Sequence, residues 1–129
     1  MKLIKPLLLM TPLLLLAPGC QSSTPPPTTH PVHGKVLVNN ELLTDGAVEF
    51  QALAEPSWSA LADIQSDGTF SLSTLHEGKR IAGALPGEYR VTIVFAARKE
   101  QDKRAPITLE KTYTVTAGEN NFTIEVTAP

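Results

Sequence analysis

The chain of 129 residues contains a single cysteine, Cys20. One thiol excludes an intramolecular disulfide and any metal site built from a cluster of cysteines. Basic residues are also scarce, because eleven Lys and Arg face thirteen Asp and Glu, for a formal net charge of −2. A polyanionic partner such as nucleic acid selects the opposite sign of charge. The composition therefore argues against nucleic-acid binding.

The chain also lacks a hydrophobic run long enough to cross a bilayer. Its most apolar stretch, residues 7–16, has ten residues, which at about 1.5 Å each span about half of the hydrocarbon core. Lys2 and Lys5 precede this stretch, and the small residues 17–19 lead directly into Cys20. This order is typical of an export signal rather than of a transmembrane helix. If this signal is removed, Lys2 and Lys5 leave with it, and the processed chain keeps nine basic and thirteen acidic side chains.

Residues 16–20, Leu-Ala-Pro-Gly-Cys, resemble the lipobox of bacterial lipoproteins. The resemblance implies that the leader is removed and that Cys20, the new N-terminus, is acylated. Ala17 stands where the usual pattern has a larger aliphatic residue, and Pro18 is atypical, so an ordinary signal peptide is the alternative. Several acyl chains, each gaining about 0.8 kcal/mol per buried methylene, anchor a protein stably without spanning the membrane. Gln21, in place of the aspartate associated with inner-membrane retention, favours the outer membrane in an organism that has one.

Residues 21–31 contain four prolines and no apolar period. This composition favours an extended polyproline II spacer with a reach of up to about 30 Å, at about 3.1 Å per residue. The predicted organisation is a lipoprotein signal peptide over residues 1–19, a lipidated cysteine with a Pro/Thr-rich linker over residues 20–31, and one domain over residues 32–129.

From Val32 onward, apolar and polar residues alternate with a period of two, and no segment has a helical period. The clearest strand covers residues 87–96, where four large inward side chains (Tyr89, Val91, Ile93 and Phe95) predict a central strand. Six more strands are predicted at residues 32–38, 47–53, 59–65, 69–74, 109–117 and 122–126. The pattern therefore predicts an all-β fold, a seven-stranded β-sandwich.

Turn signals separate the predicted strands. Asn39-Asn40 and Asp45-Gly46 predict turns, and Asp67-Gly68 predicts a tight hairpin between the third and fourth strands. Residues 75–86 are predicted to be a long connection that leads into the central strand.

Four short motifs follow one another in the predicted domain: Gly34-Lys35-Val36, Gly46-Ala47-Val48, Asp67-Gly68-Thr69-Phe70 and Gly87-Glu88-Tyr89-Arg90-Val91-Thr92-Ile93. This ordered set resembles carboxypeptidase-regulatory-like, transthyretin-type domains, in particular those carried by small bacterial envelope lipoproteins. The resemblance covers nearly all of residues 32–127. It implies a noncatalytic seven-stranded Greek-key sandwich, and it implies no common ligand.

A few polar and aromatic side chains are candidates for ligand binding. Trp58 either stacks on a sugar ring or plugs one end of the sandwich, and plugging is the commoner fate of a lone tryptophan. Basic residues form two further groups, Lys79 and Arg80 in the long connection, and Arg98, Lys99, Lys103 and Arg104 in one loop. Glu100 and Asp102 interrupt the second group, which favours a solvated loop over an anion site.

Three histidines permit a metal site in principle. His30 lies in the predicted linker, His33 faces outward on a strand predicted to resemble an edge strand, and His76 is distant in sequence. Solvated histidines are therefore the favoured interpretation, and no metal or cofactor is predicted. The chain also shows no assembled nucleophile or acid/base set, which argues against an enzyme.

These observations favour a lipid-anchored cell-envelope protein whose β-sandwich is a noncatalytic structural or protein-interaction module. Its expected partners are the membrane, reached through acylated Cys20, and an unknown envelope protein or glycan. The alternative is an envelope lipoprotein that binds a carbohydrate or another small ligand through Trp58 and the loops near Lys79 and Arg98.

Overall fold

The structure is a computed structural model that describes residues 27–97 and 104–128. Within these residues the chain forms ten strands and no helix. The strands are β1 (Val32–Val38), β2 (Glu41–Leu42), β3 (Ala47–Ala52), β4 (Ser59–Asp63), β5 (Thr69–Ser71), β6 (Ser73–His76), β7 (Lys79–Ala82), β8 (Gly87–Val94), β9 (Ile107–Val115) and β10 (Asn120–Val126). The all-β prediction is confirmed, and the described residues divide into ten strands rather than the predicted seven.

Two sheets enclose the core, as in a β-sandwich. The larger sheet has the strand order β7-β6-β4-β3-β8-β9, and all of its neighbouring strands are antiparallel. In the smaller sheet β1 pairs with β10 in parallel and with β2 and β5 in antiparallel orientation. β8 lies between β3 and β9, so it is paired on both sides as predicted, but it lies one place from the edge of the sheet rather than at its centre.

The side chains predicted to face inward form the core between the sheets. Val91 and Ile93 of β8 are completely buried, as is Phe50 of β3. The Phe50 ring centroid lies 5.8 Å from that of Tyr89 in its own sheet and 6.1–6.4 Å from those of Phe122 and Phe70 in the other sheet. Each such aromatic pair contributes about 0.5–1.5 kcal/mol beyond the burial of its area. Phe50 therefore joins the two sheets.

Gly34 of β1 leaves room for its two neighbours in the smaller sheet, Phe70 of β5 and Phe122 of β10. A Cβ atom at this position would lie 2.7 Å from the Phe70 ring and 2.3 Å from the backbone oxygen of Phe122. Both distances are shorter than real carbon contacts, so only glycine fits without a backbone shift.

The predicted strand 69–74 and the hairpin before it require a correction. A tight turn is present, with Gly68 at φ 86°, but β5 pairs with β1 while β6 pairs with β4 in the other sheet. Leu72 lies at the crossing, where its N–H donates to Val32 (2.9 Å) and its C=O accepts from Gly83 (2.7 Å). The alternation continues across Leu72 because both halves face the same core, so the sequence pattern hides the change of sheet.

The predicted long connection 75–86 is also partly wrong, since it contains the end of β6 and all of β7. β7 lies at the edge of the larger sheet and pairs only with β6. Lys79, Arg80 and Ala82 are exposed and Ile81 is half-buried. An edge strand with charged residues needs no apolar alternation, so it left no signal in the sequence.

The strands define two ends of the sandwich. At the proximal end β1, β8 and β10 begin, and this end carries the loops at residues 53–58, 77–78, 83–86 and 116–119. At the distal end lie the turns at residues 39–40 and 64–68 and the chain on either side of the segment 98–103. β8 runs from the proximal to the distal end and has eight residues, which corresponds to about 26 Å at roughly 3.3 Å per residue.

Candidate functional site

Trp58 lies at the proximal end, immediately before β4. Its indole ring stacks on the imidazole of His76, the last residue of β6, with centroids 4.8 Å apart and planes inclined by 9°. The indole Nε1–H donates to the Glu55 carboxylate at 3.2 Å. The Trp58 C=O accepts from the N–H of Ala52 at 3.0 Å. These contacts fix the half-buried ring in one orientation.

A cleft of about 170 Å³ opens beside Trp58. One wall is the loop after β3, and the other is the segment that leads into β8. The two walls are adjacent because Ala52, at the end of β3, pairs with Tyr89 near the start of β8. His76 covers one face of the indole, and because β4 lies between β6 and β3, Ala52 of β3 lies on the other side of Trp58 from His76. The complete lining is Ala52, Ala54, Glu55, Trp58, Leu85, Pro86, Gly87, Glu88 and Tyr89.

Tyr89 closes the inner wall of this cleft. Its side chain is almost fully buried, and its hydroxyl donates to the Leu85 C=O at 2.7 Å. Burial raises the pKa of Tyr89, partly offset by this hydrogen bond. The phenol is therefore a neutral wall, and Glu55 and Glu88 supply the exposed charges of the cleft.

No protein-family model, curated protein or solved structure matches the chain. Residues 27–97 and 104–128 contain no helix that could cross a membrane. The functional proposal therefore depends on the sequence and on the geometry of the described residues.

Lys79 and Arg80 lie near Trp58 but do not line the cleft. Lys79 pairs with His76 and Arg80 pairs with Leu75 across the β6–β7 ladder. Both basic side chains are exposed on the edge strand. Trp58, His76 and Lys79 are therefore neighbours in space, with His76 between the other two.

Arg104 lies at the opposite, distal end. Its guanidinium carbon is 4.2 Å from the centroid of the Phe95 ring, and the residue lines two clefts of about 310 and 190 Å³. Arg98, Lys99 and Lys103 lie outside the described residues, as does Cys20. Because β8 separates the two ends, Trp58 and Arg104 cannot line one small-ligand site. A ligand-binding role of Arg104 therefore stays a prediction, and it concerns the distal end rather than the Trp58 cleft.

The three histidines contact different parts of the domain. The His30 Nδ1 accepts from the Gly118 N–H at 3.2 Å, and the His33 Nδ1 lies 2.8 Å from the Ser71 hydroxyl. β1 pairs on both sides, so the prediction that His33 lies on a strand resembling an edge strand is wrong. Within the described part of the chain, no three His, Cys, Asp or Glu side chains form a group suited to a metal ion.

The Trp58 cleft offers an aromatic face and carboxylate oxygens, which stack and accept hydrogen bonds. Sequence reasoning singled out Trp58, considered His76 only as a metal ligand, and missed Glu55 and Glu88. The spacing Glu55-x-x-Trp58 after a strand was an available signal, because a turn brings residues three apart together. Glu88 reaches the cleft only through the pairing of β3 with β8, which the sequence pattern does not reveal.

Proposed function

We propose that the protein is a lipid-anchored cell-envelope protein whose β-sandwich is a noncatalytic structural or protein-interaction module. The observation that carries the proposal is the order export signal, lipobox-like Cys20, proline-rich spacer, sandwich. In this proposal the domain is a Greek-key sandwich of the transthyretin type, and Cys20 is acylated after the leader is removed.

The N-terminal side of the sandwich supports a short tether. Thr29 Oγ1 donates to the Ala82 C=O at 2.6 Å, and His30 pairs with Ala84. Both residues fall in the predicted linker, yet they are bonded to the domain, so the part of the prediction that can act as a spacer is at most residues 21–28. Eight residues of polyproline II reach about 25 Å. A tether of this length keeps the proximal end, rather than the distal end, close to the membrane.

Metabolic labelling tests the anchor. We expect labelled palmitate to appear on the full chain expressed in a bacterial host, and the protein to partition into detergent with the membranes. The variant Cys20→Ser should lose both the label and the membrane fraction because it has no thiol to acylate. Equal partitioning of both proteins without label would contradict the proposal.

The second candidate function is binding of a carbohydrate or another small ligand, and the cleft beside Trp58 favours it. Trp58 is the only tryptophan in the chain, so its fluorescence reports this cleft alone. Titration with envelope polysaccharides should change the emission of the wild-type chain if a sugar ring stacks on the indole. An unchanged spectrum with every polysaccharide would count against this candidate.

A further inference from the structure

The Trp58 cleft is the size of one side chain. Its volume of about 170 Å³ is below the roughly 300–1,000 Å³ typical of sites for drug-sized ligands. Ala52, Ala54 and Pro86 give it an apolar base, and the indole of Trp58 forms one wall. An occupant with a narrow aliphatic stem fits this space.

The charge at the rim has one sign. Glu55 and Glu88 are both exposed, and no lysine or arginine is among the described residues that line the cleft. The nearest described cations of the β6–β7 hairpin, Lys79 and Arg80, lie beyond His76 on the edge strand. A positively charged group that enters the cleft therefore meets two carboxylates, and no lysine or arginine of the described residues lines the cleft; Arg90, two residues beyond Glu88 on the exposed face of β8, lies outside this lining.

The side-chain hydrogen-bonding groups of the cleft act as acceptors. The indole N–H of Trp58 already donates to Glu55, and the Tyr89 hydroxyl donates to Leu85. The carboxylates of Glu55 and Glu88 have only acceptor atoms. A sugar hydroxyl both donates and accepts, whereas a lysine ammonium or an arginine guanidinium only donates, which matches these acceptors.

We propose that this cleft is the docking site for a lysine or arginine side chain of a partner protein. The aliphatic stem packs on Ala52 and Pro86, and the charged head lies against the indole face turned away from His76, between Glu55 and Glu88. The contact combines a cation–π interaction with charge-assisted hydrogen bonds. The inference rests on the proposed interaction role and is independent of the lipid anchor.

Peptide titration tests the proposal on the full chain in a nonionic detergent. The probes are acetyl-Gly-Lys-Gly-amide and its norleucine counterpart, which keeps the stem without the charge. Trp58 fluorescence and backbone amide NMR follow binding. We expect the lysine peptide to bind at least tenfold more tightly than the norleucine peptide, and added salt to weaken its binding.

Charge variants locate the contact. The double variant Glu55→Gln with Glu88→Gln should weaken lysine-peptide binding at least tenfold, and Trp58→Leu, followed by NMR, should abolish it. Glu119→Gln removes an exposed carboxylate at the same end outside the cleft, so it should change binding less than twofold.

Three results would overturn the proposal. They are equal binding of the norleucine peptide, equal weakening by Glu119→Gln, and binding of methyl glucoside in place of the lysine peptide. The last result would assign the cleft to a sugar. Acylation of Cys20 has its own readout, so loss of the anchor with intact peptide binding would reject only the proposed anchoring.

Discussion

The side chain that holds the 116–119 loop at the proximal end, Asn120, is buried, whereas Asn39, which holds the chain at the distal end, is exposed. Asn120, only 6% exposed, accepts from the Thr116 N–H (2.9 Å) and donates to the C=O groups of Thr116 (2.9 Å) and Pro31 (3.2 Å). At the distal end, exposed Asn39 accepts from the Ala128 N–H (3.0 Å) and donates to its C=O (3.1 Å). Water can replace the distal bonds but not the proximal ones.

The difference follows from the connections that each end must make. The link 83–86 joins β7 to β8, which β6, β4 and β3 separate in the sheet. Ala84 in this link is completely buried and pairs with His30. A buried crossing needs internal partners for its backbone.

Asn120→Ala should produce the largest loss of stability, about 2 kcal/mol, because it removes the hydrogen bonds of a buried side chain to the N–H and C=O of Thr116. Urea unfolding followed by circular dichroism measures the loss. Asn121→Ala is the matched control, because Asn121 is the exposed neighbour on β10, and it should change stability by less than about 0.5 kcal/mol. Equal effects of the two variants would show that the proximal end does not depend on this buried amide.

Asn39→Ala should lower the free energy of unfolding by about 1 kcal/mol, less than Asn120→Ala does. The hydrogen bonds of Asn39 to Ala128 are exposed, so water replaces them. Asn39 and Asn40 both have positive φ, 51° and 67°, a conformation that asparagine tolerates better than alanine. Asn40→Ala therefore measures the backbone cost alone, and the difference in unfolding free energy between the variants gives the side-chain bonds. A loss at Asn39 as large as that at Asn120 would remove the contrast between the ends.

Sequence reasoning predicted the core strands because burial imposes a period of two. Tyr89, Val91 and Ile93 carry that signal on β8, and all three are buried. The change of sheet at Leu72 and the edge strand β7 left no such signal, since neither alters the burial of alternate residues at the core. The strand count therefore failed where pairing, rather than burial, decides the structure.

The candidate site shows the same limit. Trp58 was recognisable as a lone aromatic residue, but its relation to the basic residues depends on strand order. Lys79 comes next to it through the pairing of β6 with β7, and Arg104 lies at the other end of β8. Proximity along the sequence could not distinguish these two outcomes.

Removing an exposed basic side chain should lower the free energy of unfolding only slightly, and the decrease should differ between the two ends of the sandwich. Arg104→Ala should lower the free energy of unfolding by about 0.5–1 kcal/mol, the usual contribution of an exposed cation over an aromatic ring. The ring is that of Phe95, whose centroid lies 4.2 Å from the Arg104 guanidinium carbon. Lys79→Ala removes an exposed cation at the proximal end, and its effect should fall below that of Arg104→Ala. Thermal unfolding of the two variants side by side provides the comparison, and a greater loss for Lys79→Ala would reverse it.

The smallest expected effect concerns pH at the distal end. The Thr69 hydroxyl donates to the Asp67 carboxylate at 2.7 Å and the Thr69 N–H at 3.0 Å, and these bonds lower the pKa of Asp67, the hydroxyl contributing most. Because the folded pKa lies below the unfolded one, the stabilisation is present above about pH 4 and is lost as pH falls through the folded pKa. Thr69→Val keeps the N–H donor and removes the hydroxyl, so the Asp67 pKa, measured by NMR titration, should rise part of the way to its ordinary value. Thr114→Val, at an exposed position of β9, should leave that titration unchanged, and a rise in both variants would mean that the Thr69 hydroxyl is not the cause.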